Sequence, residues 1–222
     1  MPDPAPACPS ATTGRDGIAA LYRTLGERGL NVGNSGNVSA RFGRGMLITP
    51  TGIHGNIVTP EDLVEMTLDG RHQGPVKPSS EWQMHAEIYA GAPEAMVIVH
   101  THSDHATALA CLNLPLPAFH YAVAAFGGED VRIAPYVTFG TPELAHLAAQ
   151  AIAGRTACLL ANHGMICHGP NVDAALLGAL RLEALARQYL IARAAGTPRL
   201  LTRAEMQAAQ ERYRSYGQQE TA

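Results

Sequence analysis

The residues with the greatest chemical potential in this sequence are histidines. His100 and His102 stand one residue apart at the end of an apolar run, Met96–Val99. In a strand, residues i and i+2 share a face about 6.6 Å apart along the chain, a spacing from which two imidazoles can close on one metal ion. On a helix the same spacing would point them in different directions. His163 follows a second apolar run, Ala157–Ala161, and precedes Gly164, where backbone can turn closely. Three histidines with a fourth position open is the pattern of a catalytic zinc site, not of a closed structural one.

A carboxylate and a set of neutral donors accompany them. Glu81 follows Ser79–Ser80 and falls at the first position of an expected helix. The helix dipole alone favours an acid there, so a capping role and a proton-carrying role at the metal both stand open. Paired hydroxyls at a helix N-terminus can cradle phosphate without a positive side chain. Ser79, Ser80, the Thr51–Gly52 loop and Gly36–Asn37 could converge in that way. Of the ten histidines, His54, His72, His85 and His146 read as ordinary surface or partly buried side chains. His105 and His168 sit off the faces of the pattern.

The elements that must position these groups follow from periodicity. Ile18, Leu21, Tyr22 and Leu25 recur at helical spacing and predict a helix that stops at Gly29. Val38, Ala40 and Phe42 alternate as a strand does, with Met46–Ile48 as its hairpin partner, and Val64–Thr67 predicts a further strand. Thr59-Pro60-Glu61 opens a short helical turn and Thr141-Pro142-Glu143 a longer helix. Ser80-Glu81-Trp82-Gln83 reads as a capping box for a helix running to about Ala90, and Thr202-Arg203-Ala204-Glu205 as another. A short helix is expected from Ser103, and a long one from Asn171 to Gly196, with Pro198 beyond. Helices interleaved with strands mean α/β layers in a single domain over 15–217. The Pro/Ala-rich residues 1–14 and residues 218–222 are expected to be tails.

Composition narrows the classes. Hydrophobic residues make up 46% and charged residues 16%, a globular balance, and 222 residues can bury a core. A net charge of -3 with 16 Lys plus Arg offers no basic surface to nucleic acid. No apolar run approaches the roughly 20 residues of a membrane helix. Cys8, Cys111, Cys158 and Cys167 have no CxxC spacing; Cys158 reads as a small buried hydrophobe, and a reducing cytoplasm is the expected compartment.

Together these segments resemble the class II aldolase and adducin-like family, bacterial L-fuculose-1-phosphate aldolases in particular, from about Leu21 to Gly217. The resemblance rests on Gly29-Leu30-Asn31, Gly36-Asn37-Val38-Ser39, Met46-Leu47-Ile48-Thr49-Pro50-Thr51-Gly52, Pro78-Ser79-Ser80-Glu81-Trp82, His100-Thr101-His102, His120-Tyr121, Ala134-Pro135-Tyr136, Thr138-Phe139-Gly140-Thr141, His163-Gly164 and Tyr216-Gly217. Asn34-Ser35 and Asn162 depart from the fuculose pattern. The resemblance implies a layered α/β/α fold with a central, mainly antiparallel sheet. It implies one Zn2+ per subunit on His100, His102 and His163, with Glu81 as acid/base and as a possible fourth ligand in the resting state. It further implies phosphate held by Asn37, Thr51, Gly52, Ser79 and Ser80. Tyr121 and Tyr216 would act at the aldehyde end, with Tyr121 supplied by a neighbouring subunit of a homotetramer.

The implied activity is cleavage of a ketose 1-phosphate, L-fuculose 1-phosphate or a related deoxy-ketose phosphate, to dihydroxyacetone phosphate and a short aldehyde such as lactaldehyde. Aldolases without a metal use a Schiff-base lysine, but the single lysine here, Lys77, is pinned before Pro78 in an expected loop. Two rivals share the implied fold. Pentulose-5-phosphate 4-epimerases carry Asp where Glu81 stands, whereas methylthioribulose-1-phosphate dehydratases keep the Glu and the histidines. A cupin would want a Glu a few residues after the H-x-H, where this chain has Asp104-His105-Ala106-Thr107. A non-catalytic adducin-like scaffold has no use for the intact ligand set.

Overall fold

The computed structural model describes residues 14–214. Its centre is a seven-stranded sheet of β1 (Asn37–Phe42), β2 (Gly45–Ile48), β3 (Val64–Thr67), β4 (Val97–Thr101), β5 (Ile133–Ala134), β6 (Ala157–Leu160) and β7 (Gly164–Gly169), in the order β3-β2-β1-β4-β7-β6-β5. Every pairing is antiparallel except β5 with β6.

Helices cover both faces, and the period-two alternation of the strands decides which residues meet which layer. On one face Val38, Ala40, Val97, Val99, Leu159, Met165 and Cys167 pack with residues of α1 (Arg15–Glu27), α3 (Asp104–Cys111) and α5 (Val172–Ala195). On the other, Met46, Ile48, Ile98, Cys158, Leu160 and Ile166 pack with α2 (Trp82–Gly91) and α4 (Pro142–Ile152). A last helix, α6 (Arg203–Arg214), brings Met206 into the first of these cores. The sheet is thus buried on both sides, an α/β/α sandwich in one domain. Among the described residues no helix is long and apolar enough to cross a membrane.

Most expected elements form, several with the expected chemistry. Thr202 and Glu205 exchange the reciprocal hydrogen bonds of a capping box, Thr59 and Asp62 do the same around Pro60, and the Thr141 and Asn171 side chains cap α4 and α5. The box expected at Ser80–Gln83 does not form. α2 starts at Trp82 with Glu81 in the capping position, and no side chain caps it, because the Glu81 carboxylate is turned towards the histidines. The strand before His100 runs on through His100 and Thr101. β7, two-residue β5 and a 3-10 turn over Tyr121–Phe126 have no counterpart in the periodicity reading. β7 is buried along its whole length, so Gly164-Met165-Ile166-Cys167-His168-Gly169 carries no polar–apolar alternation to betray it.

Candidate metal centre and its surroundings

The alternation of β4 puts His100 on the same face as Ile98, the face that α2 covers. His102 follows just beyond the strand. His163 lies in the tight turn between β6 and β7, where Asn162 adopts φ +54, a left-handed conformation that asparagine tolerates better than most residues. Two glycines permit the close approach. A Cβ on Gly164 would collide with the Thr101 carbonyl and stand 3.1 Å from the His102 ring. A Cβ on Gly36 would lie 2.6 Å from the His100 carbonyl oxygen, and its φ of +69 favours glycine independently.

The three imidazoles form a triangle. Their centroids are 4.9 Å apart in every pair, with ring planes 73–78° from one another. The Nε2 atoms of His100 and His102 are 3.0 Å apart. Glu81 closes the group, Oε2 at 3.2 Å from His100 Nε2 and Oε1 at 3.2 Å from His163 Nε2. One ligand atom from each of the four residues lies within 4.8 Å of all the others.

The protonation logic of this group calls for a cation. His100 Nδ1 is 2.8 Å from the Met165 carbonyl, which can only accept, so Nδ1 carries the proton. A neutral His100 therefore turns its Nε2 lone pair towards the other donors, and the backbone bond fixes that tautomer as metal-ligating histidines require. Glu81 Oε1 is buried and meets no aligned hydrogen-bond donor among the described residues. Burial works against the Glu81 charge, but His100 and His163 outweigh it and hold the carboxyl far below its usual pKa. Burial likewise works against charge on His100, yet the adjacent carboxylate holds its pKa above the ordinary value. Burial lowers His102 to about 3, helped by positive charge on its neighbours. Three nitrogen donors and a carboxylate around one point suit a metal ion.

The expected phosphate donors fall beside this centre. Pro50 and Pro78 form an isolated antiparallel bridge, flanked by Thr51 N–H to the Lys77 carbonyl at 3.1 Å and Ser79 N–H to the Thr49 carbonyl at 3.0 Å. The Thr51–Gly52 turn therefore runs alongside Ser79–Ser80, at the N-terminus of α2. Ser80, Thr51 and Gly52 are exposed, whereas Ser79 is buried and its Oγ accepts from the Glu81 N–H. Asn37, opposite His100 in the β1–β4 register, sits at the carboxylate itself and donates from Nδ2 to Glu81 Oε2 at 3.0 Å. Tyr121 is 58% exposed at the start of the 3-10 turn, and its ring contacts are His120 and Tyr213, not the histidine triangle. Tyr216 lies outside the described residues.

The sequence reading missed His85. Treated above as an ordinary histidine, it is fully buried on α2, 2.5 Å from Asn37 Oδ1 and 2.7 Å from Ser39 Oγ. Ser39 Oγ in turn lies 2.9 Å from the Tyr89 hydroxyl. A signal existed. Glu81, His85 and Tyr89 recur at i, i+4 and i+8 on one helix face, and Asn37 and Ser39 at i and i+2 on one strand face.

Residues 16–190 match the family model of the class II aldolase and adducin N-terminal domain. A 5-methylthioribulose-1-phosphate/5-deoxyribulose-1-phosphate aldolase of Rhodospirillum rubrum is 45% identical over 203 residues, 91% of this chain and 92% of that protein. An L-fuculose phosphate aldolase of Escherichia coli is 43% identical over 190 residues, 85% of this chain and 88% of that protein. A solved structure of an L-fuculose 1-phosphate aldolase superposes with a TM-score of 0.88 at 38% identity, covering 93% of this chain and 98% of that one.

Proposed function

The chain belongs to the class II aldolase and adducin family, and from that premise we propose that it is a metal-dependent carbon–carbon lyase acting on a ketose 1-phosphate. The observation that carries the reading is the convergence of Glu81, His100, His102 and His163. The substrate class is one whose first three carbons leave as dihydroxyacetone phosphate and whose remainder leaves as a short deoxy or methylthio aldehyde. L-Fuculose 1-phosphate, 5-deoxyribulose 1-phosphate and 5-methylthioribulose 1-phosphate all fit it. The relatives named for these sugars support that class.

His100, His102 and His163 would hold the metal, for which zinc is our assignment, with Glu81 yielding its place to substrate. Bound there, the ion supplies the Lewis-acid pull that stabilises negative charge left on the ketone oxygen when the carbon–carbon bond breaks. The chain's own groups do the rest. Ser79, Ser80, Thr51 and the Gly52 backbone would anchor the phosphate against the positive end of α2, with the second N–H of Asn37 as a further donor. Glu81 moves the proton at carbon 3. Its ionised form, the one the histidines favour, takes that proton in the condensation direction, and the same carboxyl returns it in cleavage. The proton released from the carbon 4 hydroxyl needs an acceptor at the aldehyde end. We assign Tyr216 of the same chain and Tyr121 of a neighbouring subunit to that end, in a homotetramer with sites between subunits. The exposure of Tyr121 suits contact with a second copy. We assign the enzyme to the cytoplasm, where the unpaired Cys111, Cys158 and Cys167 stay reduced.

The test is a coupled assay for dihydroxyacetone phosphate on those three sugars, before and after chelation. Cleavage that chelator abolishes and zinc restores is expected. Water loss without dihydroxyacetone phosphate would make the chain a dehydratase, epimerised pentulose phosphate an epimerase, and either result ends the aldolase reading.

A further inference from the structure

Behind the carboxylate of Glu81 runs a line of buried polar groups whose hydrogen-bond directions can be assigned one by one. Asn37 Nδ2 donates to Glu81 Oε2 at 3.0 Å, so the end of the amide nearer the carboxylate is its NH2 group. Asn37 Oδ1 then faces His85, and a carbonyl oxygen only accepts, so His85 Nε2 carries a hydrogen. Burial lowers the His85 pKa to about 3, which keeps the ring neutral. A neutral ring protonated on Nε2 must accept at Nδ1, so Ser39 Oγ donates there, and the Ser39 oxygen is left free to accept from the Tyr89 hydroxyl, which also has the Met96 carbonyl at 3.5 Å. Tyr89 itself is buried with Arg41 over its ring, 4.7 Å from the centroid. From Ser39 to Glu81 every donor points one way, and no group between them has an alternative consistent with its neighbours. Such a chain polarises each successive bond and fixes the orientation of its last member.

We propose that His85, backed by Ser39 and Tyr89, is the positioning residue for the proton carrier: it locks the Asn37 amide, and through it the Glu81 carboxylate, in the orientation that addresses the substrate carbon. This rests on the aldolase reading for its kinetic consequence, but not for the geometry. Without the His85 donor the Asn37 amide is free to rotate and present its oxygen to the carboxylate, which would repel it. Glu81 would then lose the Asn37 N–H and swing on the histidines.

The experiment has two arms on the full-length, metal-loaded protein. Nitrogen NMR of the histidine rings at neutral pH should find His85 neutral with its proton on Nε2. A proton on Nδ1, or a charged ring, reverses the chain and overturns the proposal. In the second arm His85→Gln, whose amide can reach Asn37 as Nε2 does, is compared with His85→Asn, whose amide cannot. Both are polar and of similar bulk, so a merely structural role penalises them alike. Exchange of the carbon-bound proton of dihydroxyacetone phosphate with deuterated water is measured together with metal content and unfolding midpoint. His85→Asn should keep its metal and lose about 10–100-fold in exchange rate and in kcat, with KM little changed, while His85→Gln recovers most of the loss. Equal rates in the two variants at equal metal content overturn the proposal. Should His85→Asn fail to fold, the ring tautomer of the wild-type protein decides. A wild-type protein with the Nε2 proton in place that neither exchanges nor cleaves would sink the aldolase reading and leave the chain of bonds standing.

Discussion

Acid should destabilise this protein through His85 before it reaches any carboxylate. In the unfolded chain that imidazole takes a proton near 6.5; in the folded protein burial, with His100 nearby, lowers the value to about 3. The folded pKa lies below the unfolded one, so between the two the unfolded chain binds more protons. The stability contributed is therefore fully present above 6.5 and is lost as pH falls from there towards 3. Each pH unit in that interval is worth about 1.4 kcal/mol, so the descent from 6.5 to 4.5 removes on the order of 2–3 kcal/mol. Carboxyls with lowered values, such as Glu183, begin to act only below their unfolded value of 4.5, which leaves the upper interval to histidines. His102 acts there in the same sense and His100 in the opposite one, so the wild-type curve alone cannot isolate His85. The difference between wild type and His85→Gln can. Urea unfolding at a series of pH values, with chelator present to remove metal linkage, gives both curves. At neutral pH the variant should be less stable by roughly 1–2 kcal/mol, and the gap should close by pH 4.5. Two curves that stay parallel over that interval would mean His85 is not held neutral, and the directions assigned to its hydrogen bonds would fall with it.

Three further outcomes follow from the site. Glu81→Gln removes the titratable group while leaving Ser79 and the start of α2 in place; it should fold, bind metal and lose roughly 10²–10⁴-fold in carbon–proton exchange, and wild-type exchange would remove Glu81 from proton transfer. Ser80→Ala should raise KM for the phosphorylated sugar about 10–100-fold, the worth of one hydrogen bond to a charged group, with metal affinity unchanged; an unaltered KM takes Ser80 out of the phosphate site. Glu183 of α5 accepts from the backbone N–H groups of His105 and Ala106 and so caps α3 immediately after His102. Glu183→Ala should cost about 1–3 kcal/mol by orphaning them, read as a lower urea midpoint, and an unchanged midpoint would deny the cap.

The parts of the fold and site visible in the sequence are those whose chemistry is local. Caps at Thr59, Thr141, Asn171 and Thr202 are written within a few residues of the helices they start, and all four form. His100 and His102 were legible because a strand repeats every two residues, and His163 because a turn glycine followed it. The same locality misled at Ser80–Gln83. There the pattern of a capping box is present, yet the cap position falls on Glu81, one residue after Ser80, and its carboxylate faces two histidines brought in by β4 and by the β6–β7 turn instead of the backbone N–H groups of α2. β7 escaped because a strand buried on both faces looks like any short apolar run.

His85 fails to stand out for a related reason. What distinguishes a working histidine from a filler is the identity of the groups its two nitrogens meet, and here those partners are 46 and 48 residues away in sequence, on β1. No window of helix or strand length contains both ends of such a contact. Two separate periodicities do contain half of it each: Glu81 at the cap of α2 with His85 and Tyr89 four and eight residues on, and Asn37 and Ser39 along one face of β1. Polar residues aligned at element spacing on a face that must be buried have to satisfy one another, since each one left unpaired costs about 1–3 kcal/mol. In an α/β sandwich with both sheet faces covered, two such polar rows are thus a pairing signal. Read that way, the five residues predict their own hydrogen-bonded seam, and it ends on the carboxylate that faces His100 and His163.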